Sequence, residues 1–480
     1  MSYCGYVTTL KNLHKHPNAD RLLLGECFGN TVCVSLDYAE GEIGVYFPTD
    51  GQLSVEFAEQ NNLLRKKDEN GKNIGGYMDP DKRNVTSIRL RGEKSDGLFL
   101  PISCLVYTGV NLDDLNPGDT ITIVNGHHIC QKYIPKSHVR TAEAKKEGNR
   151  TRKKKVPIAP LFVEHADTEQ LAYNMDAFKV GDLVEITLKM HGTSQRTAYV
   201  PKFQGYKRTL LDKILRREGT PIYDWGYVTG TRRTVLNDFE DGGFYGSNSF
   251  REKSAKFFEG KLHKGEAVYY EVVGFTDGGR PIMGDADNKK LNDKDFVKQY
   301  GDITRFSYGC DPDGLKTVYG QDDEGHFALQ QKVPVNDFYV YRMTMTNEDG
   351  DIVEYTPDFM RYRCEQMGCK AVIPFWTGYI KDEDLPIVFD FENFDKVGEG
   401  HKTTPGEYIR QIAELYYDGP DPVGKTHVRE GVVCRIVNRP KFTAYKHKNF
   451  SFKVLEGIVK ATAEAPDMEE AQELIEESQE

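Results

Sequence analysis

A lysine at the end of a strand can do covalent chemistry when a glycine and hydroxyl side chains follow it closely. The chain carries this pattern in Glu185-Ile186-Thr187-Leu188-Lys189-Met190-His191-Gly192-Thr193-Ser194. A lysine amine becomes a nucleophile once it is free of its proton. Gly192 allows the backbone to pass close to a ligand, and Thr193 and Ser194 offer hydroxyls. The plainer reading is a solvated strand terminus. Further candidates are Glu271 in Tyr269-Tyr270-Glu271-Val272-Val273-Gly274, Glu430 in Arg429-Glu430-Gly431, and the alternating lysines of Lys446-His447-Lys448-Asn449. Fixed cations at such positions can meet charge on phosphate oxygens. Each also reads as one face of an ordinary strand.

These residues need strands to hold them. Leu183–Leu188, Ala267–Val273, Phe338–Met343 and Gly431–Ile436 are expected strands, and residues 210–217 and 408–416 are expected helices. The first ~130 residues read as short strands between Asn, Asp and Gly turns, without a long helix, which suggests a small OB-type β-barrel. The chain of 480 residues has room for two or three domains. Its 63 Lys and Arg against 74 Asp and Glu give a net charge of −11, which excludes a uniformly basic nucleic-acid coat protein. Any basic patch is local. One such run holds Lys145, Lys146, Arg150, Arg152, Lys153, Lys154 and Lys155, read either as a solvated hinge or as a phosphate-binding strap. Apolar residues make up 38%, and 27 Tyr and 25 Phe add large buried areas, so a folded, soluble protein is expected. Nine scattered cysteines suggest a reducing, cytoplasmic setting. No membrane span or secretory signal is expected. Eight acidic residues and no basic one in 461–480 suggest an acidic tail.

The segment Lys189-Met190-His191-Gly192-Thr193-Ser194 resembles motif I of the covalent nucleotidyltransferases, which include ATP-dependent RNA and DNA ligases and mRNA capping enzymes. His191, two places after the lysine, is similar to RNA ligases that seal nicks in duplex RNA. Phe162-Val163-Glu164-His165-Ala166-Asp167-Thr168-Glu169-Gln170 resembles the lead into that motif. Other motifs follow in the family's order. Gly230-Thr231-Arg232-Arg233 resembles motif Ia, with Arg232 favoured over Arg233, and its distance from Lys189 implies an insertion over 202–225. The Glu271 strand resembles motif III. Asp337-Phe338-Tyr339-Val340-Tyr341-Arg342 resembles motif IIIa, whose aromatic stacks on adenine. Tyr341 fits that position best and Phe338 second, while Arg342 stands where the family has an acidic residue. Arg429-Glu430-Gly431-Val432-Val433 matches motif IV and Lys446-His447-Lys448-Asn449 matches motif V, with Lys453 in reserve.

The resemblance implies an α+β protein: an N-terminal OB-type β-barrel, then a nucleotidyltransferase (ATP-grasp-like) domain of antiparallel sheets flanked by helices. Its boundaries would be 1–135 for the OB domain, 136–157 for the basic linker, 158–460 for the ligase domain and 461–480 for the tail. It implies an ATP-dependent RNA ligase that joins a 3′-hydroxyl to a 5′-phosphate through lysyl-AMP on Lys189 and an adenylylated RNA end. His191, Glu430, Lys446 and Lys448 would join Lys189 in catalysis, with His191 acting after adenylylation. Arg232, Glu271, Tyr341 or Phe338, Glu430, Lys446 and Lys448 would bind the nucleotide. Glu430 and Glu271 would hold Mg²⁺ or Mn²⁺. His16-Pro17-Asn18-Ala19-Asp20-Arg21-Leu22 and Ser87-Ile88-Arg89-Leu90-Arg91-Gly92 resemble tRNA-binding OB modules. Arg89 and Arg91, on one face of a strand, and Lys153, Lys154 and Lys155 would then contact RNA ends or a nicked duplex. A monomer is expected. The rivals are a DNA ligase and a capping guanylyltransferase, which usually carry a C-terminal OB domain where only 32 residues follow Lys448. A further rival is a catalytically inactive RNA-binding nucleotidyltransferase-like protein.

Overall fold

Val184 and Ile186 are fully buried on one side of the strand Leu183–Leu188, while Glu185 and Thr187 occupy the other. This period-two alternation gives the strand one core face and one polar face. The computed structural model describes residues 3–67, 69, 73–133, 159–166, 168–215, 217, 219–232, 235–236, 239, 248–277, 282–283, 316–321, 327–333, 336–388, 401–423 and 428–462. Lys153, Lys154, Lys155, the rest of the basic run and residues 463–480 lie outside them.

The chain divides into two compact units. The described residues of the first fall in Met1–Thr141 and Phe450–Glu464. A four-stranded antiparallel sheet there runs in the order Leu98–Pro101, Ile43–Phe47, Gly5–Thr9, Thr120–Ile121. A three-stranded sheet joins Lys11–Lys15, Leu22–Cys27 and Asn30–Ser35. Val7, Val45, Phe47, Leu53, Phe57 and Leu105 form the core. The expected closed barrel is not seen: the strands divide into separate sheets and short ladders, and none closes among the described residues. The helix Phe450–Thr462 also differs from expectation, since it belongs to this unit and not to the second. Phe450 lies under the cations of Arg89 and Lys94, and Lys453 pairs with Asp96, so Lys453 is not part of the lysine cluster.

The second unit holds two sheets. The five-stranded one runs Glu169–Gln170, Thr443–Lys448, Gly431–Ile436, Leu183–Leu188, Pro374–Tyr379. Its pairs are antiparallel apart from the outermost, Glu169–Gln170 with Thr443–Lys448. The helix Pro405–Glu414 covers one face, setting Ile409 and Ala413 against Val184, Ile186, Val432 and Cys434. The seven-stranded sheet has the path Val235–Leu236, Thr220–Gly230, Thr193–Lys207, Glu266–Gly274, Asn336–Thr346, Ile352–Glu354, with Lys370–Ala371 beside Asn336–Thr346. The helices Ser249–Lys256 and Pro357–Met367 pack on one face of it through Phe250, Met360, Cys364 and Met367. Thr356 caps the second helix by accepting from the Phe359 N–H, and Pro357 opens it.

Buried charges tie the two sheets together. Arg342 of the larger sheet makes a bidentate pair with Glu354, and Arg435 of the smaller one lies 3.8 Å from the same carboxylate. Glu185 pairs with Arg361 at 2.7 Å. Such charges are tolerated in a core because they are paired. The chain passes from the smaller sheet to the larger over residues 189–192, between Leu183–Leu188 and Thr193–Lys207. Lys189 therefore sits at the crossing.

Candidate active site

The crossing segment is held from both sides. The Lys189 N–H donates to the Gly431 carbonyl at 3.0 Å, and the Leu188 N–H to the Ile373 carbonyl at 2.8 Å. A Cβ on Gly192 would stand 2.3 Å from the Val272 carbonyl oxygen, so only glycine lets the turn approach the neighbouring strand. Arg251, from the helix Ser249–Lys256, donates to the Thr193 hydroxyl at 2.6 Å and to the Ser194 carbonyl at 3.3 Å. Gly431 has a φ of +146°, and a Cβ there would strike the His447 carbonyl. This places Glu430 directly against the lysines.

The Lys189 Nζ lies 2.8 Å from Glu430 Oε1, and the Lys448 Nζ lies 3.6 Å from the same oxygen. His191 Nδ1 is 3.3 Å from Glu430 Oε2. Burial alone would raise the pKa of Glu430, but Lys189, His191 and Lys448 outweigh it and hold the carboxyl well below its usual range. Glu430 is therefore a fixed anion, and with it ionised the cluster presents excess positive charge. Along Thr443–Lys448, Tyr445 packs into the smaller sheet's core and the His447 ring stacks on Tyr417. Alternation turns Lys446 and Lys448 to the opposite face, toward Lys189.

The larger sheet supplies the other wall. Ser194 pairs in register with Glu271, and Glu271 with Tyr339, so the three are neighbours across the sheet. The Tyr341 hydroxyl lies 2.8 Å from Ser194 Oγ. A β-bulge sits at Tyr341, because Tyr269 pairs with Arg342 while Tyr270 pairs with Val340. The bulge turns both Tyr341 and Arg342 to the face carrying Tyr269. Phe338 points the other way, against Phe257, Phe258 and Tyr270, so it is core and cannot substitute for Tyr341.

Two groups had no role assigned from sequence. His165 is buried in contact with the rings of Tyr269, Tyr341 and Phe442. Arg342 donates to its Nδ1 at 3.0 Å, which leaves the ring proton on Nε2. Burial first, then the charges of Arg342, Arg232 and Arg196, hold its pKa well below the ordinary value. The His165 N–H also donates to the Arg232 carbonyl at 3.3 Å, which places Arg232 at this end of the site. His165 lies in the segment leading into the lysine motif, and that was its only signal. Arg251, 57 positions from Ser194, had none.

His165 has a measurable consequence. The unfolded chain takes up a proton near pH ~6.5, whereas the folded chain holds this ring neutral. Stability should therefore fall as pH drops below about 6.5. Melting curves between pH 7.5 and 5 should show a steeper loss in the parent than in His165→Gln; equal slopes would contradict the assignment.

The remaining described candidates, Arg89 and Arg91, belong to the first unit. Arg89 donates to the Gly92 carbonyl and lies over Phe450. Its strand ends at Leu90, and Arg91 has a φ of +47° in the turn, so the two arginines do not share a strand face. That turn is held by His16, whose Nε2 is 3.0 Å from the Leu90 carbonyl, and by Asn18, which donates to the Arg91 carbonyl.

For a metal, the described residues contain no group of three or more His, Cys, Asp and Glu able to enclose an ion. With Glu430 Oε1 facing Lys189 and Lys448, a cation beside this carboxylate would rely on water and phosphate for most of its ligands, as Mg²⁺ commonly does. No described helix is long and apolar enough to cross a membrane.

No protein-family model matches the chain, and no curated protein does. Among solved structures it is similar to a Naegleria gruberi RNA ligase mutant with AMP and Mn, at 16% identity and a TM-score of 0.51 over 94% of this chain and 97% of that one. A second mutant of that ligase with AMP and Mn gives 15% and 0.50, over the same shares of each chain. The ligase with PPi gives 16% and 0.50, over 96% and 98%. Over nearly its whole length, the chain shares the fold of that RNA ligase.

Proposed function

We propose that the protein is an ATP-dependent RNA ligase that seals a 3′-hydroxyl to a 5′-phosphate. The observation that carries this reading is Lys189 at the crossing of the two sheets, 2.8 Å from a buried ionised Glu430 that Lys448 also faces. A nucleotidyl acceptor needs this combination: an amine held in place, and cations for the charge on the α-phosphate. The fold neighbours hold AMP with Mn, or PPi, which suits the first step.

In that step the neutral Lys189 amine attacks the α-phosphorus of ATP. A P–N bond forms, the P–O bond to pyrophosphate breaks, and the amine proton is released to solvent. AMP then passes to the RNA 5′-phosphate and restores the amine. Finally the 3′-hydroxyl attacks that phosphate, releasing AMP and a proton. Glu430 positions Lys189, while Lys446 and Lys448 meet the phosphate charge. Tyr341 stacks on adenine, Glu271 and Arg232 hold ribose or phosphate, and His191 orients the phosphate in the later steps. Glu430 and Glu271 would hold a divalent ion, which would supply further charge neutralisation at the phosphates. The N-terminal unit is an OB-type module that docks RNA, with Arg89, Arg91, Lys153, Lys154 and Lys155 as its cations and those of the linker. The protein works as a monomer in the cytoplasm, and the eight free cysteines among the described residues suit a reducing compartment.

Sealing of nicked duplexes with RNA or DNA 3′-hydroxyl strands tests this, with ATP or GTP as the donor. Sealing is expected with ATP and the RNA 3′ end. A preference for the DNA 3′ end would make it a DNA ligase, and a GTP adduct would make it a capping-type enzyme. Tyr341→Ala should raise the ATP concentration needed by roughly 5- to 150-fold, the range of base stacking on an aromatic. Tyr341→Phe keeps the ring while losing the Ser194 hydrogen bond, and should cost much less; equal losses would remove the stacking role.

A further inference from the structure

The strands Thr193–Lys207 and Thr220–Gly230 extend well beyond the sheet that holds Ser194. Pairing with Glu266–Gly274 stops at Ala198, but the two strands stay paired with each other as far as Lys207 and Thr220. The nine residues past Ala198 reach on the order of 30 Å as extended chain. The end is well built. Thr209 and Asp212 form a reciprocal capping box on the short helix Leu210–Ile214. Gly219, with φ +87°, closes the return where a Cβ would meet the Lys207 carbonyl at 2.5 Å.

Two features mark this end among the described residues. Leu210, Leu211, Ile214 and Leu215 are 50–79% exposed, an apolar cluster that water does not favour. Around it the protein is basic although the whole chain is acidic: residues 202–217 hold six Lys and Arg against one Asp. Lys207, Arg208 and Arg217 are exposed. Along the arms, half-buried aromatic rings pack in two groups. Tyr199 stacks on Tyr227 at 4.7 Å and meets Trp225 at 5.7 Å, while Phe203 meets Tyr223 at 6.0 Å.

We infer that this hairpin docks the substrate RNA where bases are unpaired or end a helix, its cations on the backbone and its aliphatic tip against exposed base faces. The inference rests on the ligase reading above. Charge complementarity favours a polyanion. The aliphatic tip adds a requirement for apolar faces, which RNA shows only at loops, bulges and ends. Side chains such as Leu and Ile pack against base faces when they wedge beside a step. The strand itself continues to Thr193 and Ser194, four and five residues after Lys189, so one strand joins the hairpin to the site of chemistry.

The test uses the full chain, a fluorescent RNA duplex with a nick and an unpaired loop, and no ATP. The variant K207S/R208S/R217S should bind about tenfold or more weakly, with the slope of log affinity against log salt reduced by about two to three. The variant L210S/L211S/I214S should bind the looped RNA about tenfold more weakly, with the salt slope unchanged and binding to a blunt continuous duplex unaffected. Both variants should form the AMP adduct at the parent's rate. Unchanged RNA affinity in both would overturn the inference. So would loss only of binding to phosphatidylserine vesicles, which would make the tip a membrane contact. A parent that forms no adduct would instead defeat the ligase reading.

Discussion

Replacing Lys189 with alanine should abolish covalent labelling by ATP, a loss of at least about 1,000-fold. Among the described residues, neither Lys448 nor Lys446 can take over in the same place. Lys448 is 3.6 Å from Glu430 Oε1 on the far strand, and Lys446 lies two residues along the same strand. Neither is on the segment that passes between the sheets. The variant should still fold, because Glu430 keeps Lys448 and His191 as partners. ATP-dependent labelling, measured alongside a melting curve, checks both halves. Full labelling in a folded Lys189→Ala protein would refute the nucleophile.

Glu430→Ala should be damaging in a second way, through stability as well as activity. It removes the anion facing Lys189 and Lys448, and leaves two like charges at a partly buried site. Breaking such a pair typically costs on the order of 3–5 kcal/mol. Adenylylation should fall by at least about 100-fold, since the amine loses its positioning. The pH dependence has a definite sign. The folded-state pKa of Glu430 is depressed, so its contribution to stability is fully present above its ordinary value near ~4.3 and is lost as pH falls through the lower folded value. Urea unfolding at pH 7 and at pH 3 should therefore show a large difference between parent and variant at neutral pH and a smaller one in acid. A constant difference would mean that the carboxylate's charge is not what the lysines hold.

The strand-borne parts of this site were legible because alternation is a strict rule. Lys446 and Lys448 face one side and Tyr445 and His447 the other, as their spacing requires. The same rule puts Phe338 and Tyr341, three positions apart, on opposite faces, although both were kept from sequence as stacking candidates; only the packing of Phe338 against Phe257, Phe258 and Tyr270 shows which is core. Arg342 was not legible in this way. The bulge at Tyr341 adds a residue to one strand and turns Arg342 to a face that plain alternation would deny it. Its partners, His165 and Glu354, come from 177 residues upstream and 12 downstream. No local pattern announces such a cluster, because long-range packing creates it.

The ends of elements were harder. Residues 210–217 were expected to be helical, but the helix stops at Ile214, because the capped turn must close a hairpin. The N-terminal strands were visible as strands, yet their grouping into open sheets depends on pairings between distant segments. Lys453 was held in reserve beside Lys446 and Lys448. The helix Phe450–Thr462 instead carries it into the first unit, where Asp96 takes its charge.

Mass spectrometry of the peptide containing Lys189, after incubating the whole protein with ATP and Mn²⁺, is the most direct trial of the proposed chemistry. The expected finding is one AMP on Lys189, joined by an acid-labile P–N bond and discharged when nicked RNA is added. An unmodified Lys189 at every cation and pH tried, or AMP on a different side chain, would contradict it.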